Sequence, residues 1–221
     1  MNFSEVSGIL KLVLKKYDFF GFIKMIWTDV FYDYRYGVDT YSPVAKKDLF
    51  EGERLALQNR YVPSTFKVIE VGIEETKKII GSDINLCNFV DYGSGKGKVL
   101  IVAARYGFKK CIGIEYSLEI HKIAEKNMEK LGLTNQVELV QGDALDYIPS
   151  PDDRVLYFFN PFMGNILETC LQNIKSISPS GKRVLILTNP VEDKLFSKYF
   201  TKVASGETKA GSFRYCIYTD H

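Results

Sequence analysis

The segment at residues 89–98, FVDYGSGKGK, contains the residues whose types and spacing most clearly suggest chemistry. Asp91 ends a short apolar run that is typical of a buried strand, and Gly93, Gly95 and Gly97 alternate after it, before the apolar run VLIVAA. This order predicts a strand, a glycine-rich turn and a helix. Glycine suits such a turn because the backbone can bend sharply and approach a ligand closely. The segment therefore predicts a ligand-binding loop.

Several interpretations of this loop compete. A P-loop requires GxxxxGK[ST], but Val99 follows the Gly97-Lys98 pair, and Tyr92 occupies the position of the first glycine. A dinucleotide fingerprint GxGxxG would place its third glycine at Lys98, which weakens that interpretation without excluding it. A glycine turn without a ligand is disfavoured because three spaced glycines cost conformational entropy with no gain in packing.

Two further acidic residues follow later strands of the predicted sheet. Glu115 ends a strand in IGIEYS, where a carboxylate can accept hydrogen bonds from both hydroxyls of a ribose, as in dehydrogenases. Asp143 in QGDA follows the next strand, and its alternative role is that of a turn or helix-cap residue. Because the carboxyl ends of parallel strands meet at one edge of a sheet, Asp91, Glu115 and Asp143 are expected to face one crevice.

The fourth predicted strand ends in YFFNPFMG, which contains Asn160, Pro161 and Phe162. An Asn-Pro turn that ends the strand is one interpretation of this segment. The sequence shows no Ser-His-Asp or Cys-His arrangement and no metal-ligand cluster. It contains only two histidines, and His121 is expected to be a surface or packing residue rather than a base.

The order of the DxGxGxG loop, the two later acids and the NPF segment resembles class I S-adenosylmethionine-dependent methyltransferases. In that family the acid before the first glycine contacts the methionine end of the cofactor, the glycine backbone lies along it, and an acid after the third strand holds the adenine amino group. The resemblance implies that S-adenosyl-L-methionine is the cofactor and S-adenosyl-L-homocysteine the product. The implied cofactor-binding residues are Thr65, Asp91, Tyr92, Gly93, Ser94, Gly95, Gly97, Glu115, Tyr116, Asp143, Ala144 and Asn160.

Amino-methyltransferases of this fold often carry [DN]-P-P-[YF] after the fourth strand, whereas this chain lacks one proline and has Met163 in the fourth position. YVPSTFKVIE at residues 61–70 and VDYGSGKGKVLIVAA at residues 90–104 resemble the non-SET protein-lysine methyltransferases. The implied catalytic residues are Tyr61, Asn160, Pro161 and Phe162, with no metal.

The likeness implies methylation of a nitrogen on a protein or another macromolecule. Methylation of a small metabolite or glycan is an alternative. A nicotinamide-dependent oxidoreductase and a non-catalytic binding module are the rival classes.

The composition limits the architecture. With 221 residues the chain can form one large α/β domain with an appendage, and a second independent domain is not expected. The net charge of +2 does not suggest a surface that coats nucleic acid. Four widely spaced cysteines without a CxxC pair predict reduced, buried thiols in a cytoplasmic protein.

Strands alternate with helices from residue 66 onward, which predicts a doubly wound, mostly parallel seven-stranded sheet with helices on both faces. The connection SGETKAGS predicts an antiparallel C-terminal hairpin. A helix over residues 66–80 is expected to have Ser64 or Thr65 as its N-cap and Gly81 as its stop. We expect a Rossmann-like methyltransferase domain at residues 61–221 and an N-terminal extension at residues 1–60.

The extension is expected to be partly helical and partly irregular. Residues 1–30 predict an amphipathic helix and a second apolar run, which is shorter than the ~20 apolar residues that span a bilayer. This region is expected to cap the domain or to contact a partner or membrane surface, and no signal peptide is predicted. Residues 31–63 lack a clear period and predict an irregular segment with a short helix near residues 49–58.

Overall fold

The computed structural model describes residues 19–42, 64–159, 162–208 and 213–220, with side chains from residue 27 onward. The α-helices are α1 (Phe19–Tyr36), α2 (Phe66–Ile80), α3 (Lys98–Ala103), α4 (Leu118–Leu131), α5 (Gly164–Ser176) and α6 (Asp193–Tyr199). Short 3-10 helices cover Gly81–Leu86 and Ala104–Tyr106. The strands are β1 (Asn88–Tyr92), β2 (Lys110–Glu115), β3 (Val137–Gln141), β4 (Asp153–Phe158), β5 (Val184–Thr188), β6 (Thr201–Glu207) and β7 (Arg214–Thr219).

The seven strands form one sheet in the order β3-β2-β1-β4-β5-β7-β6. The pairs among β1 to β5 are parallel, whereas β7 lies antiparallel between β5 and β6. The predicted fold class, including the antiparallel C-terminal strands, is therefore confirmed. β6 extends three residues into the predicted connection SGETKAGS, because it pairs with β7 as far as Glu207 opposite Arg214.

Successive side chains of the central strands enter two separate cores, one on each face of the sheet. Phe89 of β1 packs on the first face with α2, α3 and α4, whereas Val90 and Tyr92 pack on the second face with α5 and α6. This alternation follows from the period of two along a strand. All six residues of β4 are buried. Each large apolar side chain removed from water in this way stabilises the fold by about 1.5–3 kcal/mol.

The helix predicted over residues 66–80 is confirmed as α2, with its N-cap at Thr65 and its C-cap at Gly81, where φ is 68°. The Thr65 hydroxyl, however, makes no capping hydrogen bond. The middle of α2 lies close to β5 because position 72 is glycine: a Cβ there would lie 2.7 Å from Ile186 Cγ2. The helix thus lies directly on the sheet, with Thr65 at the carboxyl edge of the strands.

The prediction of irregular structure was wrong for residues 31–36, which form the last third of α1. This part of the helix is fixed by contacts that sequence periodicity does not show. The Tyr32 ring packs 4.6 Å from the ring of Phe66 on α2, and its hydroxyl accepts a 2.6 Å hydrogen bond from Arg105. The predicted helices at residues 1–18 and 49–58 lie outside the described residues.

The outer face of α1 exposes large apolar side chains. Trp27, Phe31 and Tyr34 are 68%, 51% and 86% exposed, and the rings of Trp27 and Phe31 stack at 5.9 Å. None of the described helices is long and apolar enough to cross a membrane. A contact of residues 1–30 with a partner or a membrane surface stays a prediction.

The four cysteines are buried and unpaired by disulfides, as predicted. Burial raises the pKa of Cys111 and of Cys170 to about 12. These thiols are therefore protonated at neutral pH and act as small apolar core residues.

Candidate active site

The sheet brings the three predicted acids to neighbouring strand ends. Asp91 lies near the carboxyl end of β1, Glu115 ends β2, and Asp143 follows β3 by two residues. Since the order of these strands is β3-β2-β1, the three residues line one edge of the sheet. β4 is the other neighbour of β1, so the carboxyl end of β4 lies beside that of β1.

The glycine loop turns tightly against β2. The backbone N–H groups of Gly93 and Ser94 both donate to the Ile114 carbonyl at 2.9 Å. Gly97 has a φ of 83°, and a Cβ at that position would lie 2.6 Å from Met128 Cε on α4. Glycine is favoured there by the left-handed conformation, and Met128 Cε would have to move to admit a side chain.

One further glycine was not predicted. Gly113 on β2 lies opposite Asp91 in the sheet register. A Cβ at Gly113 would lie 2.4 Å from Leu100 Cδ1 and 2.8 Å from Ser94 Oγ. The glycine loop can therefore approach β2 only because this strand position has no side chain. A single glycine inside a predicted strand was the available signal.

Asp91 is a buried carboxyl group with an unsatisfied oxygen. Its side chain is 2% exposed, and Oδ2 has no hydrogen-bond partner among the described residues. Burial, and then the negative charge of Glu115, raise the pKa of Asp91 well above its ordinary value. A buried oxygen left without a partner costs about 1–3 kcal/mol. A cationic ligand group such as an ammonium would remove that cost.

Glu115 already has partners in the protein. Its Oε2 accepts a 3.0 Å hydrogen bond from Gly95 N, and its Oε1 accepts a 2.8 Å bond from Ser117 N. Burial raises the pKa of Glu115, and these backbone N–H groups oppose that shift. The carboxylate thus joins the end of β2 to the glycine loop, and its contact with a ribose stays a prediction.

Two buried hydroxyl groups share the unsatisfied character of Asp91. In the part of the chain that the structure describes, neither Thr65 Oγ1 nor Ser94 Oγ has a hydrogen-bond partner. Thr65 lies at the N-terminus of α2 and Ser94 in the glycine loop. Because Thr65 does not use its hydroxyl as a helix cap, this oxygen is available to a ligand.

A hydrogen-bonded chain fixes the N-terminus of α2. Tyr157 Oη lies 3.1 Å from Ser64 Oγ and 2.9 Å from Thr188 Oγ1. Tyr157 also stands opposite Asp91 in the register of β1 and β4. Burial raises the pKa of Tyr157, so its hydroxyl stays protonated. This set of hydrogen bonds was not predicted, because a tyrosine in an apolar strand resembles any other core residue in the sequence.

Asp143 forms a turn in this structure. Its Oδ1 accepts a 3.1 Å hydrogen bond from Leu145 N, and its carbonyl accepts one from Asp146 N at 3.0 Å. Ala144 beside it is buried, and Tyr116 after β2 is partly exposed. The turn role of Asp143 is thus observed, whereas its contact with adenine stays a prediction.

Other predicted residues lie in the core or outside the described ranges. The Tyr92 ring stacks on Phe158 at 4.7 Å on the second face of the sheet, so only the backbone of Tyr92 adjoins the glycine loop. Phe162 packs into the same core. The remaining predicted catalytic residues, Tyr61, Asn160 and Pro161, lie outside the described residues.

His121 on α4 is buried, and its Nε2 lies 3.5 Å from Glu125 Oε1. It is a packing residue, in line with the prediction. Within the described ranges, no group of three or more His, Cys, Asp or Glu side chains could hold a metal ion.

Comparison with known proteins identifies the family. A family model described as a methyltransferase domain matches residues 83–215, which include β1 to β6 and the whole glycine loop. The chain belongs to this methyltransferase-domain family. The resemblance to S-adenosylmethionine-dependent methyltransferases is thereby confirmed, and the P-loop and nicotinamide interpretations of the glycine loop lose their support.

Two relatives of this methyltransferase are named for protein substrates. A protein-lysine N-methyltransferase of Saccharolobus islandicus is 31% identical over 126 residues, which are 57% of this chain and 73% of that protein. A ribosomal protein L11 methyltransferase of Alkaliphilus oremlandii is 31% identical over 84 residues, or 38% of this chain. The aligned part is 26% of the latter protein, so this chain matches about a quarter of its length.

Solved methyltransferase structures show the same fold. An RNA methyltransferase from Salinibacter ruber, in complex with S-adenosyl-L-homocysteine, aligns with a TM-score of 0.55 and 21% identity, covering 72% of this chain and 94% of that one. A putative methylase from Haemophilus influenzae aligns with a TM-score of 0.56 and 17% identity, covering 69% and 98%. At these identities the likeness concerns the fold alone.

The residues of the crevice fit S-adenosylmethionine. Asp91 offers a buried carboxyl oxygen for an ammonium group, and the hydroxyls of Thr65 and Ser94 offer further unsatisfied oxygens. Glycine residues in the loop allow a ligand to approach its backbone closely. When bound, the cofactor supplies a methyl group on a positively charged sulfur, which a nucleophile can attack directly.

Proposed function

We propose that this methyltransferase transfers a methyl group from S-adenosylmethionine to the side-chain nitrogen of lysine in a protein substrate. The alignment with a protein-lysine N-methyltransferase over 73% of that protein's length carries the proposal. The second relative is also named for a protein substrate, a ribosomal protein.

The chemistry asks little of the protein beyond alignment. Methyl transfer is an in-line displacement, and holding the nucleophile close to the methyl group can contribute up to roughly 7–11 kcal/mol of barrier lowering. In the proposal, the amide oxygen of Asn160 accepts a hydrogen bond from the target amine and Pro161 shapes the wall behind it, while Phe162, which is buried in the second core, supports that wall from below. Tyr61 helps to desolvate the lysine and so favours its neutral, nucleophilic form.

The two-part division of the chain belongs to the same proposal. Residues 61–221 form the methyltransferase domain, and residues 1–60 form an extension on the substrate side. The contacts of α1 support this division: Tyr32 packs on Phe66 at the N-terminus of α2, beside Ser64 and Thr65. An extension attached there lies next to the N-terminus of α2.

A transfer assay with labelled methyl groups tests the substrate class. The purified protein is incubated with S-adenosyl-L-[methyl-³H]methionine and lysate of its own organism, and protein, RNA and small molecules are separated. We expect label in the protein fraction, recovered as N-methyllysine after acid hydrolysis. The Asp91→Asn variant should transfer no label. Asp152→Asn, which changes an exposed carboxylate paired with Lys109, should transfer as the wild type does.

Other outcomes of this assay contradict the proposal in distinct ways. Label in RNA would make the protein a nucleic-acid methyltransferase, and label in the small-molecule fraction would indicate a metabolite or glycan. Label in protein at a residue other than lysine would keep the protein substrate but overturn the choice of acceptor atom.

A further inference from the structure

Residues 37–42, which we call the strap, connect α1 to the glycine loop and to α4. Lys130 Nζ donates to the Gly37 carbonyl. Asn127 bonds Asp39 twice: its Oδ1 accepts from Asp39 N at 2.9 Å, and its Nδ2 donates to the Asp39 carbonyl at 2.8 Å. The strap therefore follows α4 through polar contacts along its backbone.

The strap is also fixed to the end of α1. The Asp33 carboxylate accepts hydrogen bonds from Thr40 N at 2.7 Å, Thr40 Oγ1 at 2.7 Å and Tyr41 N at 2.9 Å. Three bonds to one carboxylate define the strap's conformation over these residues, so its position depends on α1 as well as on α4.

Lys96 joins the strap to the glycine loop. It lies between Gly95 and Gly97 and is 1% exposed. Its Nζ lies 2.7 Å from Asp39 Oδ2, 2.9 Å from the Ser42 carbonyl and 2.5 Å from Ser42 Oγ. An ammonium group has three donors, and the strap supplies three acceptors for them.

The backbone of Lys96 is held by the same cluster. Asn127 Nδ2 donates to the Lys96 carbonyl at 2.9 Å as well as to Asp39. Burial would raise the pKa of Asp39, but hydrogen bonds from Lys96 and Ser42 outweigh it and lower the pKa. The Asp39 carboxylate therefore stays charged and bonded at neutral pH.

We infer that Lys96 is a positioning residue for the cofactor and that the strap is the anchor through which it acts. Glycines on either side of Lys96 would otherwise leave this part of the loop free to adopt many backbone conformations. Gly95 N must point to Glu115 Oε2 for the loop to have its observed form. Anchoring the residue between the two glycines holds that form before the ligand arrives, and such preorganisation raises affinity.

This inference concerns the cofactor and does not depend on the identity of the methyl acceptor. It gives the N-terminal extension a second role, in the cofactor site as well as on the substrate side. A purely structural role for the Lys96 cluster makes a different prediction, since it would change the stability of the whole domain without a local effect on the loop.

Binding of S-adenosyl-L-homocysteine by calorimetry tests the inference, together with amide hydrogen exchange of the protein without ligand. Lys96→Met should weaken binding at least tenfold and speed exchange at Gly93–Gly97, while amides of β4 and β5 keep their protection. Asp39→Ala removes a half-exposed partner and should weaken binding about threefold or more. Lys109→Met, which breaks the exposed pair with Asp152, is the matched control and should bind as the wild type does.

Two results would overturn the inference. One is wild-type affinity in Asp39→Ala together with wild-type affinity in a folded Lys96→Met protein. The other is a combination of three observations. Lys96→Met loses affinity, its amides exchange faster throughout β4 and β5, and Asp39→Ala, which retains the lysine, binds the ligand as the wild type does. Faster exchange confined to the loop, with weakened binding in both variants, supports it.

Discussion

The two sides of the glycine loop differ in how their buried polar groups are satisfied. On the outer side, Lys96 and Asn127 have several partners each, at 2.5–2.9 Å. On the crevice side, Asp91 Oδ2, Thr65 Oγ1 and Ser94 Oγ find no partner among the residues described. Native proteins rarely leave buried polar atoms unpaired. The difference is in line with the proposal that a ligand completes the crevice side; among the described residues, unpaired buried atoms also occur away from the crevice, for example on Asn88 and Arg183.

One group on the outer side departs from this rule. Lys98 and Asp29 are buried, and their Nζ and Oδ2 atoms lie 3.2 Å apart. The distance is that of an ion pair, although neither of these two atoms has a hydrogen-bond partner among the residues described. The rings of Tyr41 and Phe66 lie 5.3 and 5.0 Å from Nζ and offer cation-π contacts in place of hydrogen bonds.

The largest expected effect concerns this pair. Lys98→Met leaves the Asp29 carboxylate buried without its countercharge, and we expect a loss of about 3–5 kcal/mol in the free energy of unfolding. Adding Asp29→Leu should recover most of that loss, because replacing both charges by apolar groups avoids the desolvation penalty. Urea denaturation of the single and double variants measures the coupling.

The exposed pair between Lys110 and Glu138 provides the control for this experiment. Lys110→Met should change stability by no more than about 1 kcal/mol. If Lys98→Met unfolded no more easily than this control, the ion pair would not be an anchor of α1, and the two sides of the loop would differ less than their hydrogen bonds indicate.

The second effect concerns Asp91, on the crevice side. Asp91→Asn should weaken S-adenosyl-L-homocysteine binding by about 2–5 kcal/mol, since it removes the charge that faces an ammonium group. The same variant should be more stable than the wild type without ligand. The pKa of Asp91 is raised in the folded protein, so the folded state favours the protonated carboxyl group. As the pH rises through this raised pKa, the folded wild type must bury a charge and loses stability, whereas the neutral Asn side chain does not.

These opposite trends predict a pH dependence. As the pH rises through the raised pKa of Asp91, wild-type affinity for the ligand should increase while the stability advantage of Asp91→Asn without ligand grows. At acid pH, where Asp91 is protonated in both states, the variant and wild type should converge in stability. Calorimetric titrations and thermal unfolding across this range measure both trends. A variant less stable than the wild type at neutral pH would contradict the assignment of Asp91 as a ligand-completed group.

Much of the crevice could be predicted from sequence because its signals are local. Asp91 and the alternating glycines lie within seven residues, and the parallel pairing of the first strands follows from the alternation of strands and helices. The sequence bounds of α2 could also be predicted, since its apolar period and Gly81 are local signals.

The outer side could not be predicted in the same way. Lys96 meets Asp39 across 57 positions of sequence, and Asn127 meets Asp39 across 88. A lysine inside a glycine loop resembles a solvent-exposed residue until its partners are known. The position of Lys98 in the sequence argued against a dinucleotide fingerprint. Its structural role as the partner of Asp29 in α1 depends on tertiary packing.

The smallest expected effect concerns Tyr157, whose hydroxyl is hydrogen-bonded although it lies next to an unsatisfied group. Tyr157 is fully satisfied by Ser64 and Thr188, yet it stands beside unsatisfied Asp91. Tyr157→Phe removes a hydroxyl that fixes the N-terminus of α2, and we expect a loss of about 1 kcal/mol in stability. Ligand affinity should fall severalfold if the chain also positions Thr65. Thr188→Val is the companion variant, because it removes the other partner of Tyr157 and leaves the bond to Ser64. Unchanged ligand affinity in Thr188→Val, together with reduced affinity in Tyr157→Phe, would assign the effect to the contact with Ser64.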